Sequence, residues 1–431
     1  GIVLIIGKLF FGNFTHLWHK LITEWIKRDR NRPSIILWSL GNELQIREGW
    51  AGFEGTNDWG ITTYNIFNQL VKRWDHTRLT TVAMFPARAG AITRHDKEFN
   101  DYLVPPELAC ATEVASFNYQ SDKYDAYLKY QPDLILFQSE AETSKLLQPY
   151  YNMDRKRTVG MAYWGSAEYW GESNKWPKKG WNYSFFDHTM RPYPQAYLIK
   201  SAFMPEIPEV HIGVVDAAGA ESVSWNDVTV GRMALNECWN HIPGSRQSLF
   251  TYTNAHSVEL LVNGQSMGVQ QNDTTQANLR NMIYWKDVPY GNGGSVVAIA
   301  RDKSGKEVAR HRIETAGKAV ALQIETETPA DWKADGMDLQ YINVTAIDKK
   351  GRPVWDYNEP LTLQMEGAAR LVALDNGDHY TDELFQGITS KRMYQGRMQI
   401  ILRSTKTPSN VKLKISSADL KEKLSLKTFL K

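Results

Sequence analysis

The stretch Arg28-Asp29-Arg30-Asn31-Arg32-Pro33-Ser34-Ile35-Ile36-Leu37-Trp38-Ser39-Leu40-Gly41-Asn42-Glu43 decides the fold. Its charged run closes a helix, and Pro33, which has no N–H to give, keeps that helix from continuing. Residues 35–40 then form a short apolar strand, and Gly41-Asn42-Glu43 brings a carboxylate out where the strand emerges. A second segment has the same form: residues 133–137 end in an apolar run, and Gln138-Ser139-Glu140 carries another glutamate to its tip. Two glutamates at strand tips suggest an enzyme that works with paired carboxylates.

Outward from this stretch, short apolar runs alternate with helical ones. Residues 2–6 read as a strand. Phe14, Leu17, Trp18, Leu21, Ile22, Trp25 and Ile26 then recur at helical spacing and predict one apolar face. After the 35–40 strand come a helix around 64–74 and strands at 79–85, 113–119, 134–137 and 159–164. This is a β/α alternation of six strands. Beyond residue 205 the helical period disappears, and short alternating strands with Gly, Asn and Asp turns take over, as in β-sandwiches. Residues 258–262 run into Asn263-Gly264, a pair that readily takes the positive φ angles of a hairpin turn. The expected domains are 1–205, 206–317 and 318–431, the last two each near the usual size of a sandwich.

With 431 residues, 42% of them hydrophobic, the chain can house several cores. Fifty Lys and Arg against 48 Asp and Glu, without a block of one sign, give no electrostatic case for nucleic acid. Cys110 and Cys238 are too few and too far apart for a disulfide framework or a cysteine metal site. No apolar run reaches the roughly 20 residues needed to span a bilayer as a helix. His16 and His19 share a helix face without an acidic or cysteine companion, and residues 291–294 form a turn outside any strand-loop-helix context. No metal and no cofactor are therefore assigned.

Residues 28–43, RDRNRPSIILWSLGNE, resemble the acid/base signature of glycoside hydrolase family 2, the family of β-galactosidases, β-glucuronidases and β-mannosidases. Four further stretches keep that family's order: DHTRLTT from Asp75, SFNYQ from Ser116, PDLILFQSE ending at Glu140, and YWGSAEYWGE from Tyr163. Residues 252–268 and 334–354 resemble its C-terminal sandwiches. The resemblance implies a (β/α)8 TIM barrel followed by two immunoglobulin-like β-sandwiches. Glu43 would then be the general acid/base after strand four, and Glu140 the nucleophile at strand seven. With residues 2–6 counted as strand three, strands one and two are missing from this sequence, which is read as part of a longer chain.

Such a pair, roughly 5–5.5 Å apart, would cleave a glycosidic bond with retention of configuration. Asn42 is expected to hold the sugar 2-hydroxyl, and Asn118 is counted with the substrate contacts. Tyr119 would position Glu140, Trp164 would offer a flat apolar face to the sugar, and Glu168 would accept a hydroxyl hydrogen bond. Glu142 rivals Glu140, because alternation places both on one side of an extended chain. Glucuronidases of the family carry an Asn-x-Lys element. The matching region, 181–197, has none, and Asn174-Lys175 has the wrong spacing. A neutral sugar, foremost a β-galactoside, is expected. Gly7 and Lys8 stand where the family has an acidic residue, and Gly165 replaces a common threonine. The expected partner is an oligosaccharide or polysaccharide, with neither nucleic acid nor membrane. A homo-oligomer is left open, as is a periplasmic or extracellular location should a signal peptide precede the chain.

Overall fold

A computed structural model describes residues 17–43, 60–85, 105–173, 176–216, 221–225, 228–327 and 331–429. The expected strand at 2–6, together with Gly7, Lys8, Phe14, His16, Asn174 and Lys175, lies outside the described residues. The structure falls into two compact units: Gly1–Trp164 with Ser222–Gly231, and Gly165–Glu221 with Arg232–Lys431. No helix among the described residues is long and apolar enough to cross a membrane.

The first unit is built on five strands: β1 (Leu37–Asn42), β2 (Leu79–Met84), β3 (Val114–Asn118), β4 (Leu136–Ala141) and β5 (Thr158–Tyr163). They lie side by side in chain order, each parallel to the next. Helices α1 (Trp18–Asp29), α2 (Ile61–Trp74), α3 (Glu107–Ala111) and α4 (Tyr124–Tyr130) precede or connect the first four strands. β3 is buried along its whole length and β2 everywhere but at Leu79, as strands covered on both faces must be. This is TIM-barrel architecture.

Helix α1 buries Ile22, Trp25 and Ile26, and Trp38 on β1 meets Trp25 edge-on with ring centres 5.0 Å apart. Leu17 and Leu21, expected on the same face, are about half exposed, since they fall at the flank of the 18-22-25-26 stripe. The strand expected to begin at Ile35 begins at Leu37, leaving Ile36 77% exposed.

The start of the sheet is fastened by Asp75, which is buried ahead of β2. It accepts hydrogen bonds from Trp38 Nε1 (2.9 Å), Arg78 Nη1 (2.7 Å) and Thr77 Oγ1 (2.6 Å). Burial alone would raise its carboxyl, but the bonds from Thr77, Trp38 and Arg78 win and hold it well below the usual carboxylate range. Arg78 reaches on to the Ile35 carbonyl, and Arg30 to that of Trp74. Arg30 and Arg78 thus tie helix ends and the approaches to β1 and β2 together, at the end of the sheet opposite the two glutamates.

The second unit carries two sandwiches. In the first, strands Val210–Val215, Leu235–Asn236, Arg246–Thr253 and Met282–Pro289 face a sheet of Ser257–Val262, Gln265–Gln271, Ser295–Arg301 and Glu307–Glu314. Ile212, Leu249 and Trp285 pack with Val258, Leu260 and Ala298 between them. The hairpin read at Asn263-Gly264 is present, with φ of 52° and 83°. In the second sandwich, Ala321–Thr326, Leu339–Ile347, Ala369–Asp375 and Arg397–Ser404 share a core with Pro360–Glu366, Ser390–Arg392, Asn410–Ser417 and Leu420–Lys427.

Candidate active site

Three of the four pairings between neighbouring strands slip register near the C-terminal ends, where sequence analysis placed the chemistry. Ser39 pairs with Thr81 but Asn42 with Ala83, so β1 carries an extra residue. Phe117 pairs with Gln138 but Asn118 with Glu140, so β4 carries one too, and β4 slips against β5 before Ala141. Such irregularities re-aim side chains at the rim of a sheet.

At two tips the chain also turns through the left-handed region. Glu43 follows Asn42 with φ of 53°, and Tyr119 follows Asn118 with φ of 61°. Neither is glycine, and the conformation costs roughly 1–2 kcal/mol for an L residue. Each is anchored across to the next strand: Glu43 N–H donates to the Ala83 carbonyl (2.6 Å) and Tyr119 N–H to the Glu140 carbonyl (2.8 Å). The repeated Asn-then-left-handed turn brings both strand ends to one cluster.

Asn118, fully buried, is the centre of that cluster. Its Nδ2 donates to Asn42 Oδ1 (3.0 Å) and to Glu43 Oε1 (3.1 Å), and its Oδ1 accepts from Ser139 Oγ (2.7 Å). Tyr119 Oη donates to Glu140 Oε2 at 2.5 Å, and its ring meets Phe85 edge-on. Glu140 is buried, while Glu43 and Asn42 are half-buried, so one carboxylate is held in the wall and the other stands nearer its opening. Glu142, the rival, is paired with Lys145 Nζ at 2.8 Å. Trp164, half-buried, follows β5 and donates its N–H to Ala141.

Asn42, Glu43, Asn118, Tyr119 and Glu140 are thus joined through short polar contacts from three strands. Ser139 was passed over by sequence reading. Serine beside a strand-tip glutamate carries no signal of its own, and its role appears only when β3 and β4 are set in register. Glu168 belongs to the second unit, where Tyr193 Oη donates to its Oε1 (2.9 Å) and His379 lies beside its Oε2. Gly165, in place of the family's threonine, has φ of 63°, and a side chain there would collide with the Trp181 indole.

Two family descriptions match the ends of the chain: Glycosyl hydrolases family 2, TIM barrel domain, over residues 12–164, and Glycoside hydrolase family 2 C-terminal domain 5 over 322–424. Residues 244–309 match Domain of unknown function (DUF4982). The chain is similar to a β-galactosidase of Bacteroides ovatus, 24% identical over 96% of this chain and 52% of that protein. It is also similar to a β-glucuronidase of Formosa agariphila, 27% identical over 38% of this chain and 14% of that protein. The chain therefore spans about half the length of the first relative and a smaller part of the second. A solved family 2 member from Bacteroides cellulosilyticus shares the fold, with a TM-score of 0.79 at 24% identity over 96% of this chain and 52% of its own. The barrel and C-terminal matches follow one another in a single sequence whose strand order is that of the barrel, and the chain belongs to glycoside hydrolase family 2.

Proposed function

We propose that this chain carries the catalytic pair of a retaining, exo-acting β-glycosidase, with Glu43 as general acid/base, Glu140 as nucleophile and a terminal β-galactoside as substrate. The observation that carries the reading is the bonded path from Glu43 through Asn118 to Ser139, the residue before the Tyr119-held Glu140. It couples the two carboxyls through strands β1, β3 and β4 while giving them different surroundings.

Glu140, oriented by the Tyr119 phenol, attacks the anomeric carbon as Glu43 passes its proton to the leaving oxygen. The glycosyl-enzyme is then hydrolysed by a water that Glu43, now a base, deprotonates. Asn42, beside the acid/base, holds the sugar 2-hydroxyl, and its own oxygen is fixed by Asn118. Trp164 offers its ring face to the sugar's C–H surface.

The β-galactoside is favoured by similarity to the B. ovatus enzyme over nearly the whole chain, and by the lack of an Asn-x-Lys pair in residues 181–197. Similarity to the Formosa β-glucuronidase supports a β-glucuronide as second reading. Nitrophenyl β-galactoside, β-glucuronide, β-glucoside and β-mannoside, offered to the protein expressed from its whole coding sequence, separate the two. Turnover of the galactoside alone is expected. Preference for the glucuronide would transfer the assignment, and no turnover by folded protein would overturn it.

A further inference from the structure

In the second unit, Glu168, His188 and His379 converge on one point, drawn from positions 20 and 191 residues apart in sequence. Their side chains are 1–3% exposed. His188 Nδ1 lies 3.7 Å, and His379 Nε2 3.0 Å, from Glu168 Oε2. Neither nitrogen makes an aligned hydrogen bond to that oxygen or, among the described residues, to another partner. Two ring nitrogens that crowd one carboxylate oxygen without a hydrogen bond make with it a set of three donor atoms, all within 4.8 Å of one another. Ligands bonded to zinc at 2.0–2.1 Å in a tetrahedron stand about 3.3–3.4 Å apart, which the two spacings bracket.

We propose that Glu168, His188 and His379 form a binding site for a divalent transition-metal ion, zinc being the ion that fits.

His188 Nε2 lies 2.8 Å from Asp375 Oδ1 and, with its proton donated there, a neutral His188 presents Nδ1 to an ion in the carboxylate–histidine–metal arrangement that orients such ligands. Tyr193 Oη donates to Oε1 of Glu168, while Oε2 is the oxygen beside both histidines. The rings of Trp170 and Phe385 wall the site on an apolar side. On the other side, Glu168 and His379 line a cleft of about 200 Å³, so the ion has an entrance and room for a water or ligand as its fourth partner.

The unit's other histidine–glutamate cluster, His211, Glu237 and His311, lacks this logic. His311 Nδ1 accepts the N–H of Ile212, so its proton sits on Nε2, facing Glu237. The alternative occupant at His188 is a proton. Burial works against it, but the Asp375 and Glu168 carboxylates prevail and push the imidazole up to about 9. Zinc must displace that proton.

The test strips the purified protein with a chelator and titrates it with Zn²⁺ by calorimetry, and with Co²⁺ by visible absorption. One equivalent is expected, with the spectrum of a four-coordinate cobalt ion and a zinc-dependent rise in Tm. His188→Gln and His379→Gln should each weaken zinc by at least about 100-fold, and Asp375→Asn by roughly 10–100-fold, while His311→Gln changes nothing. Failure of the unaltered protein to bind a stoichiometric ion overturns the proposal, whatever the variants do. So does binding that is lost in His311→Gln and kept in His379→Gln.

Discussion

The Tyr119 phenol donates to Glu140 Oε2 at 2.5 Å, the shortest of the polar contacts described at the strand tips. Tyr119 reaches it only because the chain turns left-handed after Asn118, and because the Tyr119 N–H is fixed on the carbonyl of the same glutamate. The residue is therefore bonded to Glu140 through both backbone and side chain. In the proposed mechanism it is a positioning residue for the nucleophile.

Tyr119→Phe keeps the ring against Phe85 and removes only that side-chain bond. A hydrogen bond to a charged group contributes roughly 1.5–3 kcal/mol, so kcat/KM should fall by about 10-fold or more. Steady-state kinetics on variant and parent check this; an unchanged kcat/KM would mean that the phenol is a packing group only.

Glu43→Gln should lower kcat by about 10²–10⁴-fold on a glycoside with a poor leaving group, the range for losing a general acid or base. The deficit in bond cleavage should shrink with dinitrophenyl glycosides, whose leaving group needs no proton. Kinetics across a series of leaving-group acidities give the comparison, and an equal loss throughout would remove Glu43 from the acid role.

Asn118 joins Asn42, Glu43 and Ser139, and its amide cannot be mimicked by an acid. Asn118→Asp puts a charge or a single hydroxyl where two donations to oxygen existed. It should reduce kcat/KM by more than Ser139→Ala, which removes one donor to Asn118. Steady-state kinetics, with circular dichroism to confirm the fold, order the two.

Asp75, bonded to Trp38, Thr77 and Arg78, is expected to govern stability and not turnover. Asp75→Asn leaves Arg78 without its buried partner and should lower stability by roughly 3 kcal/mol, read in urea unfolding. Because the folded-state pKa of Asp75 is depressed, its contribution is full above the unfolded value near ~4 and is lost as pH falls through the folded value. The parent should lose stability faster than the variant on acidification below about pH 4.

The strands of the barrel sheet were legible because parallel strands buried on both faces read as unbroken apolar runs, and β1 to β5 appear within a few residues of their expected ends. The places of Glu43 and Glu140 at strand ends were legible for the same reason, as carboxylates following such runs. The turns at Glu43 and Tyr119 were not, because neither residue type favours positive φ. The extra residues in β1 and β4 were invisible too, since register belongs to the pair of strands and to neither alone. Asn118 appeared as part of a motif, but its place at the centre of the site depends on β3 lying between β2 and β4. The Glu168, His188 and His379 cluster escaped because its members lie in three separate segments, with no ligand spacing to reveal them.

The central claim is that Glu140 becomes bonded to the sugar while Glu43 serves as its acid/base. Incubation with a 2-deoxy-2-fluoro-β-galactosyl fluoride, followed by proteolysis and mass spectrometry of the protein expressed from its whole coding sequence, tests it directly. The account predicts inactivation with one fluorogalactosyl group on the peptide bearing Glu140, mapped by fragmentation to that residue and absent in Glu140→Gln. A label on Glu142, or galactoside turnover unimpaired in Glu140→Gln, would contradict it.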